Sequence, residues 1–152
     1  MSLSPKAFDV VSRPIPIDHI KKRPGKAGME FSYITPDFVI DTLNEAFEHR
    51  WDTKIVYQGV HDAVVVVGLR LTVHDEAGNS IEKEQFGSCE ITRGLGVGEA
   101  FKGATSDAMK KCATLLGVGL ELYRDDDAHS GPPTSPQFRP PQAGVLPPKP
   151  VA

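Results

Sequence analysis

Cysteine is nearly absent: Cys89 and Cys112 are the two among 152 residues, and they form no CxxC. With five scattered histidines they give no metal-ligand spacing, so a disulfide scaffold is excluded and neither a metal site nor a cofactor is expected. The two thiols are read as buried and free. Long apolar runs are missing as well. The most apolar stretch, Ala63 to Leu69, is far short of the roughly 20 residues a membrane span requires. Met1 to Val11 has no apolar core behind a basic start, so no leader is expected. A soluble, cytoplasmic chain follows as the expectation.

Catalytic signatures are missing too. There is no HExxH and no GxSxG, and the acidic residues are spread without a pair that can be placed together. Gly98 and Gly103 have the outer spacing of a P-loop, but Ala104 stands where the phosphate-reaching lysine must be, and no GxGxxG fits from Gly94 or Gly96. The glycines before the second long helix serve either an anion at a helix N-terminus or a sharp turn. No enzymatic activity is expected.

What the chain does have is a globular composition, with 39% hydrophobic and 24% charged residues. Eight of its thirteen prolines lie in the last 28 residues, so residues 1–124 are expected to form one domain and residues 125–152 a disordered Pro-rich tail. The net charge of −3 seems to argue against a polyanionic partner, but it is uneven. Residues 1–26 carry Lys6, Arg13, Lys21, Lys22, Arg23 and Lys26 against Asp9 and Asp18, a net +4. Residues 27–101 sum to −8, and residues 102–111 return to +2 through Lys102, Lys110 and Lys111 against Asp107. Two short basic segments sit in an acidic body.

The first basic segment is punctuated by Pro24-Gly25 and Gly28 between two short strands, His19 to Arg23 and Glu30 to Ile34. Thr35 then suits a helix cap and Pro36 a first turn, and Val39, Ile40, Leu43, Ala46 and Phe47 recur at helical spacing. From Trp51 the period becomes two. Trp51 to Gln58, Ala63 to His74 and Ser80 to Thr92 read as three strands of an antiparallel meander, with a turn at Asp75 to Asn79. Ile81 and Phe86 differ in parity, which predicts a bulge or register change in the third strand. A long helix over Glu99 to Leu116 follows, with Phe101, Ala104, Ala108, Met109, Cys112, Leu115 and Leu116 as its apolar face and Gly117 as its cap. The class is α+β: hairpin, helix, three-stranded meander and a long helix packed on the sheet.

Lys21, Lys22, Arg23 and Lys26 on a hairpin whose second strand supplies Phe31 and Tyr33 place cations and aromatic faces close together. A single-strand binder needs that combination, cations for phosphates and flat groups on which bases rest. A basic hairpin is also commonly no more than a solvated loop, and Lys110-Lys111 no more than a charged helix face, with Asp107 their i+3 and i+4 partner.

In order, these pieces resemble the annealase domain of the eukaryotic Rad52 recombination mediator family and its DdrA-like bacterial relatives. The resemblance rests on Ile20 to Gly25 with Gly28 and Tyr33, on Val39 to Phe47 followed by Trp51, and on Lys102 to Lys111 with Leu116-Gly117. It spans Pro14 to about Tyr123. It implies a sheet backed by a long helix, protomers side by side in a closed ring, and single-stranded DNA in a positive groove around it. By position, Arg23 resembles the groove arginine, Tyr33 the groove aromatic, and Lys110 and Lys111 the basic pair on the long helix. The candidate DNA-binding set is thus Lys21, Lys22, Arg23, Lys26, Tyr33, Lys102, Lys110 and Lys111. Thr114 stands where the family has a further arginine, and the Gly94 to Gly98 segment is shorter than in the eukaryotic members, where a longer connection carries an outer site. The resemblance implies end protection or strand annealing in double-strand-break repair, in a bacterial cytoplasm and at the nucleoid when bound to DNA. The alternative is an oligomeric adaptor whose tail, with Pro133-x-x-Pro136 and Pro147-x-x-Pro150, recruits a protein partner.

Overall fold

The computed structural model describes residues 2–122 and Arg124, with Lys26 described by its backbone alone; the segment expected to be a tail lies outside the described residues. The elements run α1 (Pro5–Val11), β1 (Ile20–Pro24), β2 (Glu30–Ile34), α2 (Pro36–Phe47), β3 (Trp51–His61), β4 (Val64–His74), β5 (Ser80–Glu90) and α3 (Val97–Thr114). β1 and β2 form a two-stranded antiparallel ladder, and β3, β4 and β5 form a separate antiparallel sheet in that order. The architecture is α+β, with the helices packed against the meander.

Alternation along β4 decides what the sheet buries. Val65, Val67, Leu69, Leu71 and Val73 point to one face and are buried there, each worth about 1.5–3 kcal/mol once removed from water. Against them α3 lays the small side chains of Ala100, Ala104, Ala108 and Cys112. Small residues let the helix backbone settle close to the strands, closest at β5. A methyl group on Gly87 would overlap the Ala104 carbonyl oxygen and the Ala108 amide nitrogen, and would stand 2.9 Å from Ala108 Cα. The other end of the core is closed by Val39, Leu43, Ala46 and Phe47 of α2 and by Ala7, Val10 and Val11 of α1. Trp51 Nε1 donates to Asn44 Oδ1 at 2.8 Å, tying the start of β3 to α2.

Several local expectations are corrected. The segment before the hairpin contains a helix: Ser4 caps α1 by accepting from the Ala7 amide, with Pro5 beginning its first turn. The hairpin's first strand begins at Ile20, because His19 belongs to a short 3-10 turn. Thr35 occupies the cap position of α2 but makes no side-chain bond to the helix amides. Its hydroxyl, instead, helps hold the Asp37 carboxyl below its ordinary range.

The register change lies in β3, between Ile55 and Tyr57, while the β4–β5 ladder is unbroken from Ser80 to Glu90. Ile81 and Phe86 differ in parity because they face opposite sides. Ile81 packs on the core, whereas Phe86, 61% exposed, lies across Gly68 on the outer face with its ring 6.0 Å from that of Tyr57. β3 also runs past Gly59 to His61 and turns to β4 through Asp62 and Ala63, with Asp62 at φ 55°.

Helix α3 starts two residues earlier and ends two earlier than its apolar pattern suggests. Ala113 is buried and Leu115, its cap residue, is 49% exposed, so Leu115 does not belong to the apolar face. Gly117 follows at φ 116°, past the cap. Gly94 lies in a turn before α3 closed by reciprocal bonds between Thr92 and Leu95 at 3.2 and 3.1 Å, Gly96 is the N-cap and Gly98 is already in the first turn of the helix. Cys112 is buried as expected, but Cys89 is only half-buried.

Gly87→Ala tests the close approach of α3. The backbone conformation at Gly87 suits any residue, so the overlap alone sets the cost, expected at about 1–3 kcal/mol in urea unfolding. Gly59→Ala is the control: its new methyl meets only the far ends of two exposed side chains, the Tyr57 hydroxyl at 2.9 Å and His61 Nε2 at 3.2 Å, and a smaller loss is expected.

Candidate nucleic-acid interface

The hairpin does not pack over the sheet but stands beside α3 and the free edge of β5, leaving a cleft of about 560 Å³ between them. Arg23, Phe31 and Tyr33 line one side, Lys110, Lys111, Asp107 and Thr114 of α3 the other, and Ser88 and Cys89 of β5 also contribute to its lining. Strand alternation explains the hairpin's contribution. Arg23 lies opposite Phe31 and Lys21 opposite Tyr33, so these four share a face. Phe31 folds over Gly25, where any side chain would collide with its ring. The loop beyond is turned by Ala27 and Gly28 at φ 58° and 73°.

Tyr33 is the meeting point of the two walls. The Arg23 guanidinium carbon and Lys110 Nζ each lie 5.7 Å from the centre of its ring. A cation over an aromatic face gains roughly 0.5–1 kcal/mol at an exposed site, which offsets part of the repulsion between the two charges. The offset is incomplete at Lys110. Burial, and then the charges of Arg23 and Lys111, hold its ammonium below the ordinary 10.5, against an opposing pull from Asp107.

Lys111 is different in kind. Its Nζ lies 3.0 Å from Asp107 Oδ2, and the same oxygen accepts from the Ser88 amide at 3.1 Å. Asp107 is therefore bonded to its i+4 neighbour and to the edge of β5, and it acts on Lys110 only through its charge. The cleft holds three cations, Arg23 on one wall and Lys110 and Lys111 on the other, against the single carboxylate of Asp107 among the described residues, a net +2. Among the described residues, neither Arg23 nor Lys110 has a carboxylate partner.

The cleft thus gathers Arg23, Tyr33, Lys110 and Lys111 from the sequence-derived set and leaves out the others. Lys21 shares the face of Arg23, but its Nζ reaches back to the Asp18 carbonyl at 3.4 Å. Lys22 alternates to the opposite face and pairs with Glu30 at 3.0 Å. Lys102 pairs with Glu99 at 3.0 Å outside the cleft. The Lys26 side chain lies outside what is described. Thr114 does line the cleft, but its hydroxyl donates to the Lys110 carbonyl at 2.9 Å, so no cation replaces the arginine expected there. Ser88, Cys89 and Gly103 carry no local signal in the sequence, because the β5 edge becomes a wall only once α3 is docked.

Among the described residues, no group of three or more His, Cys, Asp or Glu is placed to share a metal ion, and no helix is long and apolar enough to cross a membrane. No curated protein matches the chain. The model of the Rad52/22 family of double-strand break repair proteins matches residues 7–132, a span that takes in the hairpin, the meander and α3, and the chain belongs to that family.

Proposed function

We propose that this protein binds single-stranded DNA in the cleft between hairpin and α3, and that it protects DNA ends or promotes annealing of complementary strands. Family membership places the chain in double-strand break repair. The observation that carries the reading to single strands is the Arg23–Tyr33–Lys110 grouping, two cations with no carboxylate partner among the described residues converging on one aromatic ring. Cations take phosphates and the ring takes a base or sugar, neither of which reads sequence. A strand held by its backbone keeps its base edges available to a complement, and annealing on such a surface needs no cofactor and no catalytic group. We place the protein in the DdrA-like bacterial branch, acting in the cytoplasm at the nucleoid, with residues 1–124 as the DNA-binding domain.

A single cleft with net charge +2 holds a strand weakly, and repetition around a closed ring of protomers supplies the rest through multivalency. The support for side-by-side assembly is β3. Among the described residues no strand pairs with its outer edge along its eleven residues, and α3 leaves Ile55 and Val60 uncovered at 49% and 46% exposure. Long edges of this kind are normally blunted or covered.

Arg23→Ala and Lys110→Met are each expected to weaken binding of an oligothymidylate and to reduce the slope of log affinity against log salt by about 0.7. The mass of the assembly should be unchanged. Unaltered slopes in both variants would sink the site assignment. Val60→Lys is expected to release protomers in sedimentation, and binding should fall with the loss of avidity.

Lys110 also gives a pH signature. Its folded value lies below 10.5, so between that value and 10.5 the unfolded chain binds more protons and the fold gains stability as pH rises. Over the same window the cleft loses a charge, and DNA binding is expected to weaken. Lys110→Met should abolish both effects, read by urea unfolding and by fluorescence anisotropy at stepped pH.

A further inference from the structure

Among the described residues that line the cleft, Asp107 is the one acid beside three cations, and it is held there from two sides. Its Oδ2 is 3.0 Å from Lys111 Nζ and 3.1 Å from the Ser88 amide. That places a carboxylate oxygen where a phosphate oxygen would otherwise take both an ammonium and an edge-strand N–H. The ion pair is neither buried nor fully exposed, with side-chain exposures of 40% and 33%, so an incoming anion can reach Lys111.

We infer that Asp107 is a positioning residue that competes with the phosphate backbone for Lys111, so that a strand gains this third cation only by exchanging it away from the carboxylate. The inference rests on the single-strand reading above. The geometry defines two arrangements of the same groups. Without a strand, Lys111 is folded along α3 onto Asp107 one turn back, and the cleft offers Arg23 and Lys110. With a strand, Lys111 turns to a phosphate oxygen while Asp107 keeps the Ser88 amide as its partner. The carboxylate then stands unneutralised beside the strand and repels it. Binding is thereby held below what three cations would give, and the phosphate contact at Lys111 exchanges readily. An annealing surface needs this property, because two strands must shift past one another before they are in register.

The alternative role for Asp107 is that of a clip between α3 and β5. The two roles predict opposite signs for Asp107→Asn. The amide keeps an acceptor for the Ser88 N–H but loses the charge. Competition predicts several-fold tighter binding of a labelled oligothymidylate at low salt and slower annealing of complementary strands, because Lys111 no longer has to leave a carboxylate to reach a phosphate. Asp107→Glu should restore the wild-type values, and Glu99→Gln, which frees Lys102 outside the cleft, should change none of them. Unchanged or weaker binding by a folded Asp107→Asn variant overturns the inference while leaving the single-strand reading intact; a wild-type chain that binds no strand overturns both. A second measurement needs no variant: the nuclear Overhauser contact between the Lys111 ε-methylene and the Asp107 β-methylene should be lost on saturation with oligothymidylate, and a contact that persists overturns the exchange.

Discussion

The contact of the α3 backbone with Gly87 sets the position of everything in the cleft. Ala100, Ala104 and Ala108 give α3 a face with almost no side-chain depth, and Gly87 removes the last obstruction on β5, so helix and strand meet backbone to backbone. Close packing of this kind tolerates little added volume. Because the helix is set so low, Asp107 reaches the Ser88 amide from the same stretch of α3 that carries Lys110 and Lys111. A helix standing one methyl group higher would carry both lysines away from Tyr33.

The cleft is correspondingly uncomfortable without a ligand. Lys110 is half-buried with two other cations nearby, and its lowered proton affinity reports that cost. Tyr33 relieves some of it, as a ring face attracts positive charge, but a ring supplies no counter-charge. Asp107 supplies one and directs it mostly to Lys111. The residual imbalance falls on Arg23 and Lys110, and an anion that enters between them recovers energy that the folded protein cannot recover by itself.

Much of the frame was legible because it rests on local rules. The hairpin, α2 and the strands follow from turn residues and from periods of two and 3.6, and the Asp75–Asn79 turn falls between β4 and β5 as its composition indicates. The misreadings arise where a side chain answers to a distant partner. Phe86 breaks parity with Ile81 without bending β5, because Gly68 on the neighbouring strand leaves a bare patch for its ring. Leu115 fits the helical spacing yet is exposed, because the helix has ended beneath it. At the cleft, charge and aromatic content marked out the two basic segments with Phe31 and Tyr33, and the family resemblance picked Arg23, Tyr33, Lys110 and Lys111 within them. By charge, Lys22 and Lys102 could not be separated from them, since their neutralisation by Glu30 and Glu99 depends on strand alternation and on helix phase.

That neutralisation explains how an acidic chain presents a cationic groove. Carboxylates of the acidic middle segment are spent on cations elsewhere: Glu45 on Arg13, Glu48 on Lys6, Glu84 on Arg70, Glu30 on Lys22 and Glu99 on Lys102. These pairs are exposed and add little stability. Their effect is electrostatic: they cancel positive charge on other faces, where a polyanion would otherwise settle unproductively. On the outer face of the sheet Glu82 and Glu84 flank Arg70 and neutralise it, while Lys54 lies opposite Arg70 on β3. The same acidic residues that make the net charge negative therefore sharpen the contrast between cleft and surroundings, and on the proposed reading their repulsion adds to the attraction of Arg23 and Lys110 in directing a strand to the cleft.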